Sequence, residues 1–278
     1  MKLLLTGAGG MLARDVMATL ADRHQVHPFP EEALDITDFA AVRRAVDGLR
    51  PDLIVNCAAF TDVDRCETEP GPAFAVNALG PRHLAVAAHG AGAALLHVST
   101  DYVFDGTATA PYSEFDPVGP VTAYGRSKLA GELEVRAHCP RHYIVRSAWL
   151  YGAHGRNFVH TMLQLAAQRE RLTVVDDQVG NPTWTVELAR AIGALMETGA
   201  FGTYHASAEG EASWYDFARE ILRLKGVSTP VDPVPSTAFP RPARRPAFSA
   251  LDKGCLRALG LTMRPWREAL ADYLKDNP

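Results

Sequence analysis

The chain has 278 residues, of which 47% are hydrophobic, and its formal net charge is −4. This length and apolar content can bury a large core, as one large domain or as two smaller interleaved ones. The charge excludes a globally basic surface for nucleic acid, and no stretch is long enough and free enough of charge to span a membrane.

The first predicted elements are a strand, a glycine-rich turn and a helix. An apolar run over 2–6 precedes Gly7-Ala8-Gly9-Gly10, and apolar residues at helical spacing follow. Gly7, Gly10 and Ala13 let the backbone bend, let a pyrophosphate approach the helix amides and let the helix pack on the strand. A structural turn is the alternative, but the position directly after a buried-type strand favours a dinucleotide site.

The second predicted strand, near 24–30, bears on the choice of cofactor. In dinucleotide-binding folds an acidic residue at the end of this strand selects NAD by binding the ribose hydroxyls. Here no carboxylate appears until Glu31. Arg14 is a candidate partner for a 2′-phosphate, with an exposed helix arginine as the alternative. The sequence therefore favours NADPH and leaves NADH open.

Two further apolar runs, 51–59 and 93–101, are predicted strands that end in small or polar residues. Helical stretches separate them, which indicates parallel crossovers and an α/β fold with a doubly wound, Rossmann-type parallel sheet. Ligands bind such sheets beyond the strand carboxyl ends, so Asn56 and Thr100 fall on the ligand side. For Asn56 and the Ala58-Ala59 pair, a strand-end turn and a contact to the adenine half of a cofactor both remain open.

The most informative motif is Tyr124-Gly125-Arg126-Ser127-Lys128. On a helix, the phenol and the ammonium lie one turn apart on one face. Because a neighbouring ammonium stabilises phenolate, we expect a Tyr124 pKa below its usual value of about 10 and a role as general acid. An exposed helix that carries Tyr and Lys by chance is the alternative.

The regular alternation of strands and helices ends near Gly152. Spacing and capping predict helices over 157–169, 186–196 and 213–224, whereas 231–246 is proline-rich and irregular. We predict a dinucleotide-binding domain over 1–152, rejoined by residues near 200–206, and a smaller, interleaved α/β substrate domain over 153–278.

The four cysteines and the N-terminus bear on the compartment. Cys57, Cys66, Cys139 and Cys255 lack CxxC spacing, so we expect reduced thiols rather than disulfides or zinc ligands. The N-terminus enters a strand directly rather than a signal sequence. We therefore expect a cytoplasmic protein.

Several motifs together resemble the extended short-chain dehydrogenase/reductases, namely those over 6–13, 99–106 and 124–128. Within that superfamily the chain is similar to the dTDP-4-dehydrorhamnose reductase family, through 147–152, 177–183 and 241–246. The motifs run in order across nearly the whole chain. By this resemblance, 177–183 lines the substrate side, although a plain turn also fits its Gly-Asn-Pro sequence.

The resemblance implies that hydride from NADPH or NADH reduces the 4-keto group of a dTDP-linked 6-deoxy sugar, with dTDP-L-rhamnose as the leading product. It implies that Tyr124 protonates the keto oxygen, that Lys128 lowers the tyrosine pKa and holds the nicotinamide ribose, and that Thr100 hydrogen-bonds the same oxygen. Asp101 and Trp149 are then expected to touch the sugar, and a core aromatic is the alternative for Trp149.

The cofactor residues that the glycine turn and the resemblance imply form one longer set. Asp35 in this set has an alternative role as the cap of the next helix. The full set is Gly7, Gly9, Gly10, Met11, Leu12, Arg14, Asp35, Ile36, Ala58, Ala59, Tyr124 and Lys128.

Three arginines stand among three prolines over 240–246. Proline stiffens the backbone, and guanidinium groups bind phosphate through paired donors. Arg241, Arg244 and Arg245 are therefore candidates for the substrate diphosphate, and a solvated basic loop is the alternative.

Other functions remain open alongside the reductase. An epimerase of nucleotide sugars keeps the fold, whereas a dehydratase needs a carboxylate pair after Thr100, where Asp101 is followed by Tyr102. A catalytically silent NADP-binding regulatory subunit is a further alternative. Some members of the family are described as magnesium-dependent dimers; we assign no metal ligand and leave a homodimer open. The acidic residues near the matching places are Asp15, Glu187 and Asp252.

Overall fold

The computed structural model describes residues 1–277. In chain order its strands are β1 (Lys2–Thr6), β2 (Gln25–Phe29), β3 (Leu53–Asn56), β4 (Ala94–Thr100), β5 (His142–Ser147), β6 (Leu150–Tyr151), β7 (Leu172–Val175), β8 (Val179–Gly180), β9 (Thr183–Trp184), β10 (Gly202–His205), β11 (Ala212–Ser213) and β12 (Val231–Val234). Its helices are α1 (Met11–Leu20), α2 (Phe39–Leu49), α3 (Val63–Thr68), α4 (Pro70–Phe74), α5 (Gly80–Ala91), α6 (Ala123–His138), α7 (Phe158–Gln168), α8 (Thr185–Met196), α9 (Trp214–Leu224), α10 (Gly254–Ala258) and α11 (Trp266–Asp276).

Six strands form one sheet in the order β10-β5-β4-β3-β1-β2. Every neighbouring pair in it is parallel. β2 lies on one side of β1, whereas β3 and then β4 lie on its other side. The direction in which successive strands are added therefore reverses beside β1. Such a reversal opens a crevice at the carboxyl ends of the strands. The predicted doubly wound α/β fold is confirmed.

Successive residues of β1 point to opposite faces of the sheet, and both faces are covered. Leu3 and Leu5 pack into a core that α1 and α8 also line, whereas Leu4 packs into the core beneath α2 and α5. Because helices cover both faces, the strand is apolar throughout rather than alternating.

A separate hydrophobic core lies in the second half of the chain, among residues of α7, α9 and α11. Two other segments after residue 152 return to the sheet layer: α8 packs against α1, and β10 pairs with β5. The domain boundary near Gly152 stays a prediction.

The helices predicted after Gly152 are confirmed, with Asn157 capping α7 and Ser213 capping α9. Region 231–246 is more regular than expected, since β12 pairs with β7 in parallel. Pro233 is tolerated there because a two-stranded ribbon consists of edge strands. Within residues 1–277, no helix combines the length and the apolar character needed to cross a bilayer.

Candidate active site

The candidate site lies along the edge where the sheet strands end. β1 ends at Thr6, beside Asn56 at the end of β3. β4 ends at Thr100, whose register partner on β5 is Ser147. The structure therefore places Asn56 and Thr100 at one edge, as the sequence predicted.

The glycine-rich turn leaves the first amides of α1 without a side-chain cap. Gly10 is the N-cap residue, and its amide donates to the Gly7 carbonyl at 2.9 Å, which closes the turn. Gly9 and Gly10 are exposed, and Met11 is half-buried at the start of the helix. Uncapped amides at a helix N-terminus attract anions, so the turn fits the pyrophosphate of a dinucleotide.

Gly7 brings this turn against the residues that follow β3. Its φ of +67° lies in the left-handed region, which favours glycine. A Cβ at Gly7 would lie 2.7 Å from the backbone nitrogen and Cα of Ala58. The turn and Ala58 therefore form one wall of the site, and the half-buried Ala59 follows directly.

Three other predicted cofactor residues differ in whether their side chains can reach a ligand. The side chains of Leu12 and Ile36 are buried in the two cores beside the sheet, so only their backbone groups can meet a cofactor. Arg14 is exposed on α1, one turn past the glycines. Its guanidinium is thus accessible to a ligand at the turn.

Asp35 does not cap the next helix, so that alternative is wrong. Asp38 caps α2 instead, accepting from the Ala41 amide at 3.0 Å. The Asp35 carboxylate accepts from the backbone and hydroxyl groups of Thr37 at 2.8 and 2.7 Å. Asp35 is exposed and remains a predicted cofactor contact.

Asn56 is fully buried, and its side chain is used inside the protein. Its Oδ1 accepts from the Thr6 hydroxyl at 2.7 Å and from the Ala58 amide at 3.1 Å, and its Nδ2 lies 2.9 Å from His97 Nδ1. These contacts favour the strand-end turn over a direct adenine contact.

Tyr124 lies in the first turn of α6, whose N-cap is Thr122. The Thr122 hydroxyl accepts from the Gly125 amide at 3.0 Å. The Tyr124 ring packs edge-on against Tyr102, with ring centroids 5.5 Å apart. The Thr100 hydroxyl donates to Asp101 Oδ1 at 2.9 Å and lies close enough to the Tyr124 phenol to oppose the rise in its pKa. β4 and α6 thus bring a hydroxyl and a phenol to one point.

Lys128 is almost fully buried, and its ammonium donates to the Val98 carbonyl at 2.7 Å. Burial lowers the pKa of Lys128 to about 8, and the negative charge of Glu132 opposes that shift. The side chain is therefore held just below the carboxyl edge of β4.

The expectation that Lys128 lowers the pKa of Tyr124 is wrong for this structure. Burial of the phenol raises the pKa of Tyr124 above its usual value, and hydrogen bonding by Thr100 opposes the shift. Desolvation disfavours phenolate, and the ammonium of Lys128 is directed at Val98. Tyr124 therefore keeps its proton at neutral pH.

Glu132 is fully buried one turn after Lys128 and centres a polar network. Its Oε1 accepts from the Ser99 hydroxyl at 2.7 Å and from Arg146 Nε at 2.8 Å. Its Oε2 accepts from Arg146 Nη2 at 2.8 Å and from Arg136 Nη2 at 3.0 Å. Although burial opposes ionisation, hydrogen bonding and charge from Arg146 lower the pKa of Glu132. A buried carboxylate therefore lies one helical turn after Lys128 on α6.

Asp101 is 3% exposed and follows Thr100 at the edge of the sheet. Its Oδ1 accepts from the Thr100 hydroxyl at 2.9 Å, whereas its buried Oδ2 has no hydrogen-bond partner among residues 1–277. Burial raises the pKa of Asp101 to about 6, and the neighbouring Ser249 hydroxyl opposes the shift. A buried acceptor without a partner fits a ligand hydroxyl.

Trp149 lies beyond the end of β5, two residues after Ser147. It is half-buried rather than a core residue, and its indole stacks on Trp214, with centroids 3.6 Å apart. Its edge also packs on Gly180, within the predicted substrate-side motif. The side chain is thus available at the same end of the sheet as Thr100.

Two arginines of the segment 240–246 converge on Asp64 of α3. Arg245 Nη2 and Arg241 Nη1 donate to Asp64 Oδ2 at 2.9 and 3.3 Å, and the Ala243 amide donates to Oδ1 at 3.2 Å. Arg245 also lies beside the Tyr102 hydroxyl, and its buried Nη1 has no hydrogen-bond partner within residues 1–277. A solvated loop does not describe this segment, because Asp64 ties it to α3.

The third arginine is placed differently. Arg244 is exposed, whereas Arg245 retains only 19% of its side-chain exposure and Arg241 retains 58%. The three guanidinium groups therefore differ: Asp64 holds Arg245 in a mostly buried position, Arg241 contacts Asp64 but stays exposed, and Arg244 is exposed.

Residues 1–277 match the family described as RmlD substrate binding domain. A dTDP-4-dehydrorhamnose reductase of Streptomyces griseus is 50% identical, over 97% of this chain and 91% of the relative. The chain belongs to the dTDP-4-dehydrorhamnose reductase family. A dTDP-4-keto-6-deoxy-D-glucose reductase of Streptomyces niveus is 46% identical, over 96% and 94% of the two chains.

A solved member of the dTDP-4-dehydrorhamnose reductase family has the same fold. The crystal structure of the Bacillus anthracis enzyme in complex with NADP superimposes with a TM-score of 0.97 at 39% identity, covering 99% of each chain. The resemblance to extended short-chain dehydrogenase/reductases is therefore confirmed over the described length.

In this member of the dTDP-4-dehydrorhamnose reductase family, the acidic residues considered for magnesium have other partners. The Asp15 carboxylate accepts from the Thr185 hydroxyl. Glu187 pairs with Arg190 and Arg264, at 2.9 and 3.2 Å. Asp252 pairs with an arginine of α10. Over 1–277, no group of three His, Cys, Asp or Glu side chains is placed to hold a metal ion.

Sequence reasoning missed three residues around the candidate site: Asp64, Glu132 and Trp214. Glu132 had a readable signal, because Tyr124, Lys128 and Glu132 follow one another at four-residue spacing on a single helix face. Asp64 and Trp214 gave no local signal, since their partners lie far away in the chain.

Proposed function

We propose that this protein is an NADPH-dependent oxidoreductase that reduces dTDP-4-dehydro-β-L-rhamnose to dTDP-L-rhamnose. One observation carries the proposal: Thr100, Tyr124 and Lys128 converge at the sheet edge, next to a glycine turn that fits a dinucleotide. The 50% identity to a named dTDP-4-dehydrorhamnose reductase supports this substrate.

The protein has two tasks at the keto carbon, to polarise the carbonyl and to deliver a proton. NADPH, when bound along the glycine turn and Ala58, supplies the hydride. Tyr124 donates its proton to the sugar oxygen, and its raised pKa keeps that proton in place until the oxygen becomes basic. The Thr100 hydroxyl polarises the same oxygen.

Lys128 holds the nicotinamide ribose through its ammonium in this proposal. Its pKa of about 8 leaves most of the side chain protonated at neutral pH, since Glu132 opposes the effect of burial.

Substrate recognition uses the other side of the cleft. The Asp101 Oδ2 atom accepts from a sugar hydroxyl, and Trp149 packs against the sugar ring. Arg245 binds the diphosphate through its Nη1, which has no hydrogen-bond partner over 1–277, with Arg241 and Arg244 contributing charge.

The cofactor preference rests on Arg14 and on the end of β2. Arg14 is exposed beside the glycine turn, and no carboxylate closes β2. A guanidinium there favours a 2′-phosphate. The Bacillus anthracis relative was solved with NADP, which supports NADPH over NADH.

A second candidate is reduction of dTDP-4-keto-6-deoxy-D-glucose, because the relative that carries this name is 46% identical over nearly the full length. The same acid, lysine and arginines serve both sugars, and only the presented sugar face differs. A cytoplasmic location and a homodimer stay predictions.

The test is to incubate the purified protein with each of the two dTDP-keto sugars and with NADPH or NADH. Loss of nicotinamide absorbance is followed, and the sugar product is identified by NMR. Formation of dTDP-L-rhamnose supports the proposal. No oxidation with the rhamnose precursor, despite measurable NADP binding, contradicts it.

A further inference from the structure

The backbone of Trp149 adopts a conformation that bulky residues avoid. Its φ is +48°, in the left-handed region, where a residue with a large side chain is strained. The Trp149 carbonyl accepts from the Thr183 amide at 3.1 Å, which fixes the turn after β5. The strain persists because the surrounding structure holds the residue from several sides.

Trp214 covers one face of the Trp149 indole. The two rings are parallel within 2°, and their centroids lie 3.6 Å apart. Aromatic rings left to themselves prefer offset or edge-on arrangements, so the packing around the pair imposes this one. Phe158 supports Trp214 from the second core, with ring centroids 4.6 Å apart.

Gly180 leaves room for the edge of the same indole. A Cβ at Gly180 would lie 2.5 to 2.9 Å from three indole atoms of Trp149. β8, which contains Gly180, pairs antiparallel with β11, with Ala212 as the register partner of Gly180. Trp214 follows two residues later as the first residue of α9, so the ribbon and the helix that leaves it present the two contacts to the indole.

The Trp149 position is close to the reacting groups in the fold. It stands two residues beyond Ser147, the register partner of Thr100, and both Trp149 and Leu129, the neighbour of Lys128 on α6, pack against the same small hydrophobic cluster. Since Trp214 covers one face of the indole, a ligand is left with the opposite face.

We propose that Trp214 and Gly180 are positioning residues that hold the Trp149 indole as a flat wall for the apolar face of a 6-deoxy sugar. The inference rests on the proposed function, because it names how the sugar half of that substrate is held. Trp214 and Gly180 touch the indole and act on the sugar only through it.

Two variants and two controls test the proposal. Trp214→Ala removes the stacked ring, and Gly180→Ala pushes the indole from its edge without touching the stack partner. Tyr215→Ala is the control for loss of a neighbouring aromatic side chain on α9. Gly48→Ala is the control for the added methyl group, since a Cβ there meets nothing within 4 Å. Trp214→Phe tests rescue by a smaller ring.

The first readout needs no substrate. Two indoles stacked this closely couple electronically, so the wild-type protein shows a paired positive and negative band in far-UV circular dichroism. Trp214→Ala abolishes that pair, and Gly180→Ala weakens it, while the Tyr215 and Gly48 controls retain it. A band pair that persists unchanged in Trp214→Ala overturns the stacked geometry.

The second readout separates the sugar from the nucleotide. In Trp214→Ala and Gly180→Ala, we expect the Kd for dTDP-L-rhamnose and the KM for the keto sugar to rise about tenfold. The Kd values for dTDP alone and for NADPH, and kcat, stay within about twofold, and Trp214→Phe recovers part of the sugar affinity.

The failure of this inference is distinguishable from that of the proposed function. A wild-type protein that reduces no keto sugar overturns the function. Sugar-nucleotide affinity that stays at the wild-type value after Trp214→Ala has abolished the paired bands overturns the positioning role. If Trp214→Ala does not fold, Gly180→Ala provides the same test. The positioning role is overturned if Gly180→Ala weakens the paired bands but leaves the affinity for the sugar nucleotide at the wild-type value.

Discussion

Glu132 lies one helical turn after Lys128 on α6. Burial lowers the pKa of Lys128 to about 8, and the negative charge of Glu132 limits that decrease. The same carboxylate is held by Arg146 at 2.8 Å. The Lys128 ammonium is therefore backed by a buried ion pair between Glu132 and Arg146.

This pair predicts how activity depends on pH. If protonated Lys128 is required, kcat/KM falls as the pH rises through about 8. Glu132→Gln removes the charge that favours the ammonium, so the alkaline fall moves to lower pH. Glu132→Asp keeps the charge and restores most of the wild-type profile. Identical alkaline limbs in wild type and Glu132→Gln would contradict the coupling.

A second prediction concerns stability. Lys128 has a pKa of about 8 when folded and about 10.4 when unfolded, so the unfolded chain binds more protons between these values. The buried ammonium therefore costs stability below pH 8, and the cost is relieved as the pH rises from about 8 to about 10.4. Relative to Lys128→Met, the wild-type free energy of unfolding should rise by roughly 3 kcal/mol over this window.

Urea unfolding of the two proteins at a series of pH values measures that difference. The variant is the reference because titration of all other groups is common to both proteins. A constant difference from pH 7 to pH 10.4 would show that the lysine pKa is not lowered.

A third prediction concerns the acid. Tyr124→Phe removes the proton that the sugar oxygen receives and should lower kcat by about 100-fold or more. The Kd for NADPH should change little, because the lysine and the glycine turn remain. Steady-state kinetics and fluorescence titration with NADPH test both parts, and unchanged turnover would overturn the mechanism.

The glycine turn gives a fourth prediction with a matched control. Gly7→Ala places a Cβ 2.7 Å from the Ala58 backbone at a φ of +67°, so it should weaken NADPH binding at least tenfold and lower the Tm. Gly48→Ala, within α2, meets nothing within 4 Å and should bind NADPH as wild type does. Equal affinities in the two variants would contradict the proposed placement of the turn.

The fifth prediction separates the arginines. Arg245 is fixed by Asp64 and keeps a buried Nη1 without a hydrogen-bond partner in the described chain, whereas Arg241 is mostly exposed. Loss of a charge-assisted hydrogen bond from Arg245→Ala should raise the KM for the dTDP-sugar about tenfold or more. Arg241→Ala should raise it less. A larger increase in KM for Arg241→Ala than for Arg245→Ala would assign the diphosphate to the exposed Arg241.

The local sequence determined the pieces of the site that depend on neighbouring residues. The strand, glycine turn and helix at the start of the chain follow from apolar spacing and from Gly7. The shared helix face of Tyr124 and Lys128 follows from a four-residue separation. These predictions succeeded because the relevant contacts are short in sequence.

Prediction failed where distant parts of the chain meet. The pKa of Tyr124 is raised, because it depends on how fully the folded protein surrounds the phenol, and spacing says nothing about that. The role of the arginine segment depends on Asp64, which lies 181 residues before Arg245. Composition of the segment alone could not separate a solvated loop from a fixed one.

By itself, the sequence determined the doubly wound fold, the glycine turn before α1 and the shared helix face of Tyr124 and Lys128, since periodicity and local backbone freedom encode them. The tertiary structure alone decided which groups surround them. Glu132 is buried one turn from Lys128, Asp64 accepts a hydrogen bond from Arg245, and Trp214 stacks on Trp149. The physical reason is that electrostatic and packing energies depend on distance in space, and the fold brings together residues that the chain keeps far apart.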